Sequence, residues 1–159
     1  MPHFPHLKEN NVRKGFLEDS QYHKLVDGAG LWFRALVECG RTYGWRVSEL
    51  LHMKVGQVDL MQRVIRLDPG TTKNSDGREV FMTETVQHLL SACVHGKGAE
   101  DAVFSRSNGI PVRIFRDAWE KACINAGVGQ FLCVACSTPM HREGRCQQCQ
   151  GKERKYRGA

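Results

Sequence analysis

Two C-x-x-C pairs, Cys133-Val134-Ala135-Cys136 and Cys146-Gln147-Gln148-Cys149, stand nine residues apart towards the end of a chain of 159. No other feature restricts the fold so tightly. Thiols spaced this way converge when the chain turns back on itself, and one tetrahedral zinc ion, with Zn–S of roughly 2.3 Å, can then join them. Pro139 and Gly144 suit the tight connection between the pairs. A redox C-x-x-C ordinarily comes singly at a helix start after a strand, whereas here two lie in a polar stretch. One structural zinc is therefore the expectation. A redox or disulfide role, or His141 in place of one cysteine, are the alternatives. Cys39, Cys93 and Cys123 fall in apolar helical patterns and are expected as small core residues.

The rest of the chain changes period twice. An arm or linker is expected over 1–14, where two prolines and no periodicity occur. A short helix is predicted from Glu18 to Ala29. Leu31, Trp32, Ala35, Leu36 and Cys39 predict a second helix ending near Gly40, and Val47, Leu50, Leu51 and Val55 a third. Val64-Ile65-Arg66-Leu67 and Val80-Phe81-Met82 then read as strands of a hairpin whose turn-rich tip runs from Asp68 to Gly77. Thr83 can cap a helix carrying Val86, Leu89, Leu90, Cys93 and Val94 on one face. Phe115, Ala118, Trp119, Ala122 and Ala126 mark a last helix, stopped by Gly127. Helices, a β-hairpin, then helices predict a mixed, mainly helical α+β domain.

With 41% hydrophobic residues the chain can bury a core. No run approaches the roughly 18 apolar residues of a membrane span. The N-terminus has no apolar signal region, so a cytoplasmic protein with reduced thiols is expected. The net charge of +6 favours a polyanionic partner without demanding one.

Gly44-Trp45-Arg46-Val47-Ser48-Glu49-Leu50-Leu51 holds an arginine and a glutamate three apart, which in isolation is an ordinary helix-surface ion pair. The order of the motifs C-terminal to it says more. Val58-Asp59-Leu60 forms an Asp-containing turn, a strand comes next, and Thr72-Lys73-Asn74 occupies the hairpin tip. Then come the Arg78-Glu79-Val80-Phe81-Met82 strand, Val103-Phe104-Ser105 and the helix carrying Trp119. This ordered set, over roughly residues 14–127, resembles the front of the tyrosine recombinase (phage integrase) catalytic domain.

The resemblance implies a protein of DNA integration and recombination. Its partner would be double-stranded DNA, broken and rejoined through a phosphotyrosine, and full-length relatives assemble as oligomers on DNA. Arg46 matches the first catalytic arginine, whose planar fork suits a phosphate. Glu49 matches a supporting acid. Lys73 matches the hairpin lysine, a general acid for the leaving 5′ oxygen. Thr72, Asn74 and Arg78 are expected to contact DNA. The family's later His-x-x-Arg pair and its nucleophilic tyrosine have no match in these residues, and Tyr156 is expected as a core or phosphate-contacting residue. Weak or absent catalysis by this chain alone is thus the expectation.

The resemblance divides the chain into the arm (1–14), the front of a recombinase-like domain (15–130), a zinc-knuckle insertion (131–151) and a basic tail (152–159). Two other functions fit the same residues: a non-enzymatic zinc-ribbon nucleic-acid-binding protein, and a protein-interaction module.

Overall fold

The computed structural model describes residues 17–67 and 77–158. The expected arm, and Thr72, Lys73 and Asn74, lie outside the described residues.

Helix α1 (Asp19–Val26) opens with the Gln21 side chain accepting the Glu18 N–H at 3.0 Å. Helix α2 (Leu31–Tyr43) buries Phe33, Ala35, Leu36 and Cys39. It runs one turn past Gly40, where the sequence predicts a stop. The residue that can turn left-handed at its end is Gly44 (φ 65°), whose N–H donates to the Gly40 carbonyl at 2.9 Å. A glycine inside a helix costs about 1 kcal/mol, which the buried faces on either side offset.

Short helix α3 (Val47–Leu51) and a 3-10 turn (Val55–Gln57) lead into strands β1 (Val58–Asp59), β2 (Val64–Leu67) and β3 (Arg78–Phe81). They form an antiparallel sheet in chain order, with Val64 opposite Phe81 and Leu67 opposite Arg78. The Thr83 hydroxyl accepts the Val86 N–H at 3.3 Å, capping α4 (Glu84–Val94) as its sequence predicts. Helix α5 (Arg116–Asn125) comes next.

Two apolar clusters hold these elements. The larger joins α2, α3, β2 and α4 around Leu50, Ile65, Val86 and Leu90, with Val103 and Phe104 fully enclosed. The smaller joins α1, α2 and α5 through Leu25, Phe33, Ala122 and Cys123. Phe115 touches both clusters, stacked on Phe33 at 5.5 Å. Burial pushes the Cys39 thiol up to about 12 and the Cys93 thiol to about 11, so these cysteines behave as inert core groups.

A second antiparallel sheet, ordered β5-β4-β6, closes the chain: β4 (Gly129–Cys133), β5 (Pro139–Met140) and β6 (Arg154–Gly158). The segment expected as a basic tail thus carries a paired strand. In its register Phe131 faces Tyr156 and Cys133 faces Arg154. Gly129 lies opposite Gly158, and the Tyr156 ring sits against both, where a Cβ at either glycine would collide with it. Mixed helices and small antiparallel sheets agree with the expected class. Among the described residues, no helix is long and apolar enough to cross a membrane.

Candidate nucleic-acid interface and metal centre

Arg46 is the N-cap of α3, in extended conformation, and Glu49 stands at the third helical position. One Glu49 oxygen accepts the Arg46 backbone N–H at 2.9 Å, and the other accepts the Arg46 Nη1 at 3.2 Å. The two ends of the pair differ in exposure. The Glu49 side chain is 5% exposed, the Arg46 side chain 56%. A buried carboxylate thus anchors an outward-facing guanidinium, whose other donors meet no partner among the described residues. A planar fork so held can meet a phosphate with little loss of side-chain freedom.

The segment carrying Arg46 is tied to the hairpin. Trp45 stacks on Tyr43 with centroids 4.7 Å apart and planes 28° from parallel. The Tyr43 hydroxyl donates to the Phe81 carbonyl at the end of β3, at 3.0 Å, and burial raises its pKa. Arg78 is exposed at the start of β3. On the exposed face of β2, Arg66 bridges Asp59 (3.2 Å), Glu79 (3.0 Å) and the Gln62 amide oxygen (2.7 Å), fixing all three strands. Of the predicted site residues, Arg46 and Glu49 are brought together and Arg78 lies on the neighbouring sheet.

The cysteine pairs build a second site. The four Sγ atoms of Cys133, Cys136, Cys146 and Cys149 all lie within 4.8 Å of one another. Cys133 is 3.4 Å from Cys149, and Cys136 is 3.4 Å from Cys146. A tetrahedron with metal–sulfur bonds of roughly 2.3 Å has edges of about 3.8 Å, so the set fits one ion. The group can hold a metal.

Both pairs use one turn. Ser137 follows the first pair at φ 58°, and its N–H donates to the Cys133 carbonyl; Gln150 follows the second at φ 59°, donating to the Cys146 carbonyl. Hydrogen bonding with Thr138, through its hydroxyl and its N–H, brings the Cys136 thiol down to about 6. Gly151 admits the sulfurs closely, since a Cβ there would stand 3.3 Å from the Cys149 Sγ. The Thr138 hydroxyl accepts from the Cys136 Sγ at 3.3 Å and donates to the Gln148 side-chain oxygen, joining the two turns.

The phage integrase family model matches residues 10–144. The chain belongs to the phage integrase family. The match runs through α1–α5 and ends between the two cysteine pairs. The tyrosine recombinase XerA of Saccharolobus solfataricus is 32% identical over 108 residues, covering 65% of this chain. This chain spans only 34% of that relative's length. A solved XerA recombinase structure superimposes with a TM-score of 0.57 at 19% identity, over 78% of this chain and 45% of that one. The fold is therefore shared with XerA.

This integrase-family chain also holds features its sequence did not reveal. The Tyr43–Phe81 bond joins residues 38 apart and has no local motif. Glu120, buried beneath Arg116 at 2.9 Å, looks like any helix-surface charge until α5 is packed. The Tyr156 hydroxyl is buried beside the Cys123 thiol, a weak polar neighbour, with no oxygen or nitrogen partner among the described residues. Burial and the neighbouring Cys123 thiol raise its pKa above the ordinary phenol range.

Proposed function

We propose that this chain grips the phosphate backbone of duplex DNA as part of a DNA integration and recombination protein of the tyrosine recombinase type. The exposed Arg46 guanidinium, anchored by the buried Glu49 carboxylate, carries this reading. Arg46 would donate to the non-bridging oxygens of the phosphate, where negative charge is held. Lys73 would protonate the leaving 5′ oxygen from the hairpin tip, with Thr72, Asn74 and Arg78 contacting the flanking backbone. Strand cleavage also requires a nucleophile and further cations, and these 159 residues contain no His-x-x-Arg. Tyr156 cannot reach a phosphate from its buried position without leaving the sheet. The proposed activity of these residues is binding.

Cys133, Cys136, Cys146 and Cys149 would hold one zinc ion, the metal that four thiolates suit best among the common biological ions. Its role would be structural: it closes the loop between β4 and β6. The domain-level proposal is a recombinase-like unit through about residue 130 that mounts a zinc-held ribbon.

The test is binding of a fluorescent duplex as a function of salt, then trapping on a nicked suicide substrate. Wild type should bind with Kd on the order of 10⁻⁴ to 10⁻⁶ M at physiological salt, the non-specific range. Arg46→Ala and Lys73→Ala should each weaken binding and flatten log K against log salt by about 1. No covalent adduct should form. Binding indifferent to salt and to both substitutions would replace this reading with a protein-interaction module, and an adduct at Tyr156 would show that catalysis was underestimated.

A further inference from the structure

The charge of this chain is unevenly placed. Residues 133–159 carry Arg142, Arg145, Lys152, Arg154, Lys155 and Arg157 against Glu143 and Glu153, a formal +4 out of +6 for the whole chain. A zinc ion with four thiolates would contribute −2, leaving this segment at about +2. In the helical part many cations other than Arg46 are neutralised locally: Arg41 by Asp19, Lys54 by Glu100, Arg66 by Asp59 and Glu79, Arg116 by Glu120. In the ribbon only Arg142 makes an ion pair among the described residues, and its partner, Asp117, lies on α5. That bond moors the ribbon to the core.

The strand geometry then sorts the remaining cations. Successive side chains of a strand point to opposite faces. Tyr156 points to the face that packs with α5, beside Cys123. Lys155 and Arg157, either side of it, therefore share the opposite face, and both are exposed. Their cross-strand partners are Leu132 and Gln130, so no acid stands opposite either cation. Like charges side by side on a rigid strand repel each other, by an amount a polyanion would reverse.

We infer that the outer face of β6, led by Lys155 and Arg157, is a second DNA-backbone contact surface that exists only while the four-cysteine site holds its metal. The inference rests on the DNA-binding reading and adds a contact outside the Arg46 region. β6 reaches its register with β4 through the closed cysteine loop, since Cys133 ends β4 and Cys149 precedes β6 by five residues. Opening the loop removes the face.

The experiment measures log K against log salt for the full chain on a fluorescent duplex, with bound zinc quantified for each protein. Lys155→Gln/Arg157→Gln, still holding one zinc, should flatten the slope by about 2, as expected for two lost phosphate contacts. Chelation should remove the same increment from wild type and little more from the double variant. Lys24→Gln, an exposed lysine on α1, should leave the slope unchanged. A zinc-loaded double variant with the full slope overturns the inference. So does an equal loss per charge removed in Lys24→Gln, which would mean that only bulk charge matters. Binding that depends on Arg46 but not on Lys155 and Arg157 removes this surface and leaves the DNA-binding reading standing. Wild type that fails to bind at any salt removes both.

Discussion

Val86, Leu90, Val103 and Phe104 in the helical core each have essentially no solvent exposure, and they are drawn from an α-helix and a loop that meet α2 and the first sheet. The ribbon buries Phe131, Leu132, Cys133 and Cys146, yet its three strands are five residues or fewer and its surface is polar and basic. The first region removes enough apolar area from water to order itself. The second has fewer apolar groups, and the proposed metal at its four sulfurs would supply the rest of its order. One chain thus uses two sources of order, and they should respond separately to perturbation.

Removing the metal should have the largest effect, because a structural zinc contributes on the order of 10 kcal/mol to the order of such a site. Chelation, or Cys146→Ser, should abolish hydrogen-exchange protection across Gly129–Cys133 and Arg154–Gly158 while Glu84–Val94 stays protected. Protection that survives in β4 without metal would erase the contrast.

Phe104→Ala should act in the opposite direction, costing about 3–5 kcal/mol in urea unfolding monitored by tryptophan fluorescence. With cobalt in the cysteine site, the thiolate absorption of the native variant should match that of wild type. If both signals vanish in one transition, the regions are a single cooperative unit.

The joint between them gives a sharper test. Gly129→Ala and Gly158→Ala each place a methyl against the Tyr156 ring and should cost about 2 kcal/mol by overpacking. Tyr156→Phe removes a buried hydroxyl whose polar neighbour among the described residues is the weakly bonding Cys123 thiol, and should stabilise by about 1 kcal/mol, which thermal unfolding would detect. A destabilised Tyr156→Phe would reveal a partner for that oxygen.

Tyr43→Phe should have the smallest effect. Losing the bond to the Phe81 carbonyl should cost about 1 kcal/mol and raise exchange at Arg78–Phe81, with the ribbon unchanged. Unchanged exchange in β3 would mean that ring stacking on Trp45 alone holds the hairpin.

The helices were legible because their apolar residues repeat at short range: Val86, Leu89, Leu90 and Cys93 fall on one side of any helix built from that stretch, and Thr83 supplies its cap. The Arg46–Glu49 pair was legible for the same reason, since a cap and the third helical position are always neighbours. The end of α2 is ambiguous in the sequence because two glycines compete, and only Gly44 takes the left-handed conformation. Strand β6 has no local signal in the sequence. Arg154-Lys155-Tyr156-Arg157-Gly158 has one apolar side chain, and its partner strand is more than twenty residues away.

The sequence by itself determined what depends on neighbours along the chain: helix faces, caps, the order of elements, and four cysteines whose spacing admits a common centre. Tertiary structure decided what depends on distant groups. It buried Glu49 so that Arg46 faces outward, joined Tyr43 to Phe81, and set β6 beside β4 so that Tyr156 turns inward while Lys155 and Arg157 turn out. Local periodicity records which side chains lie on one face. Which face meets solvent is a property of the contacts formed when the chain closes on itself.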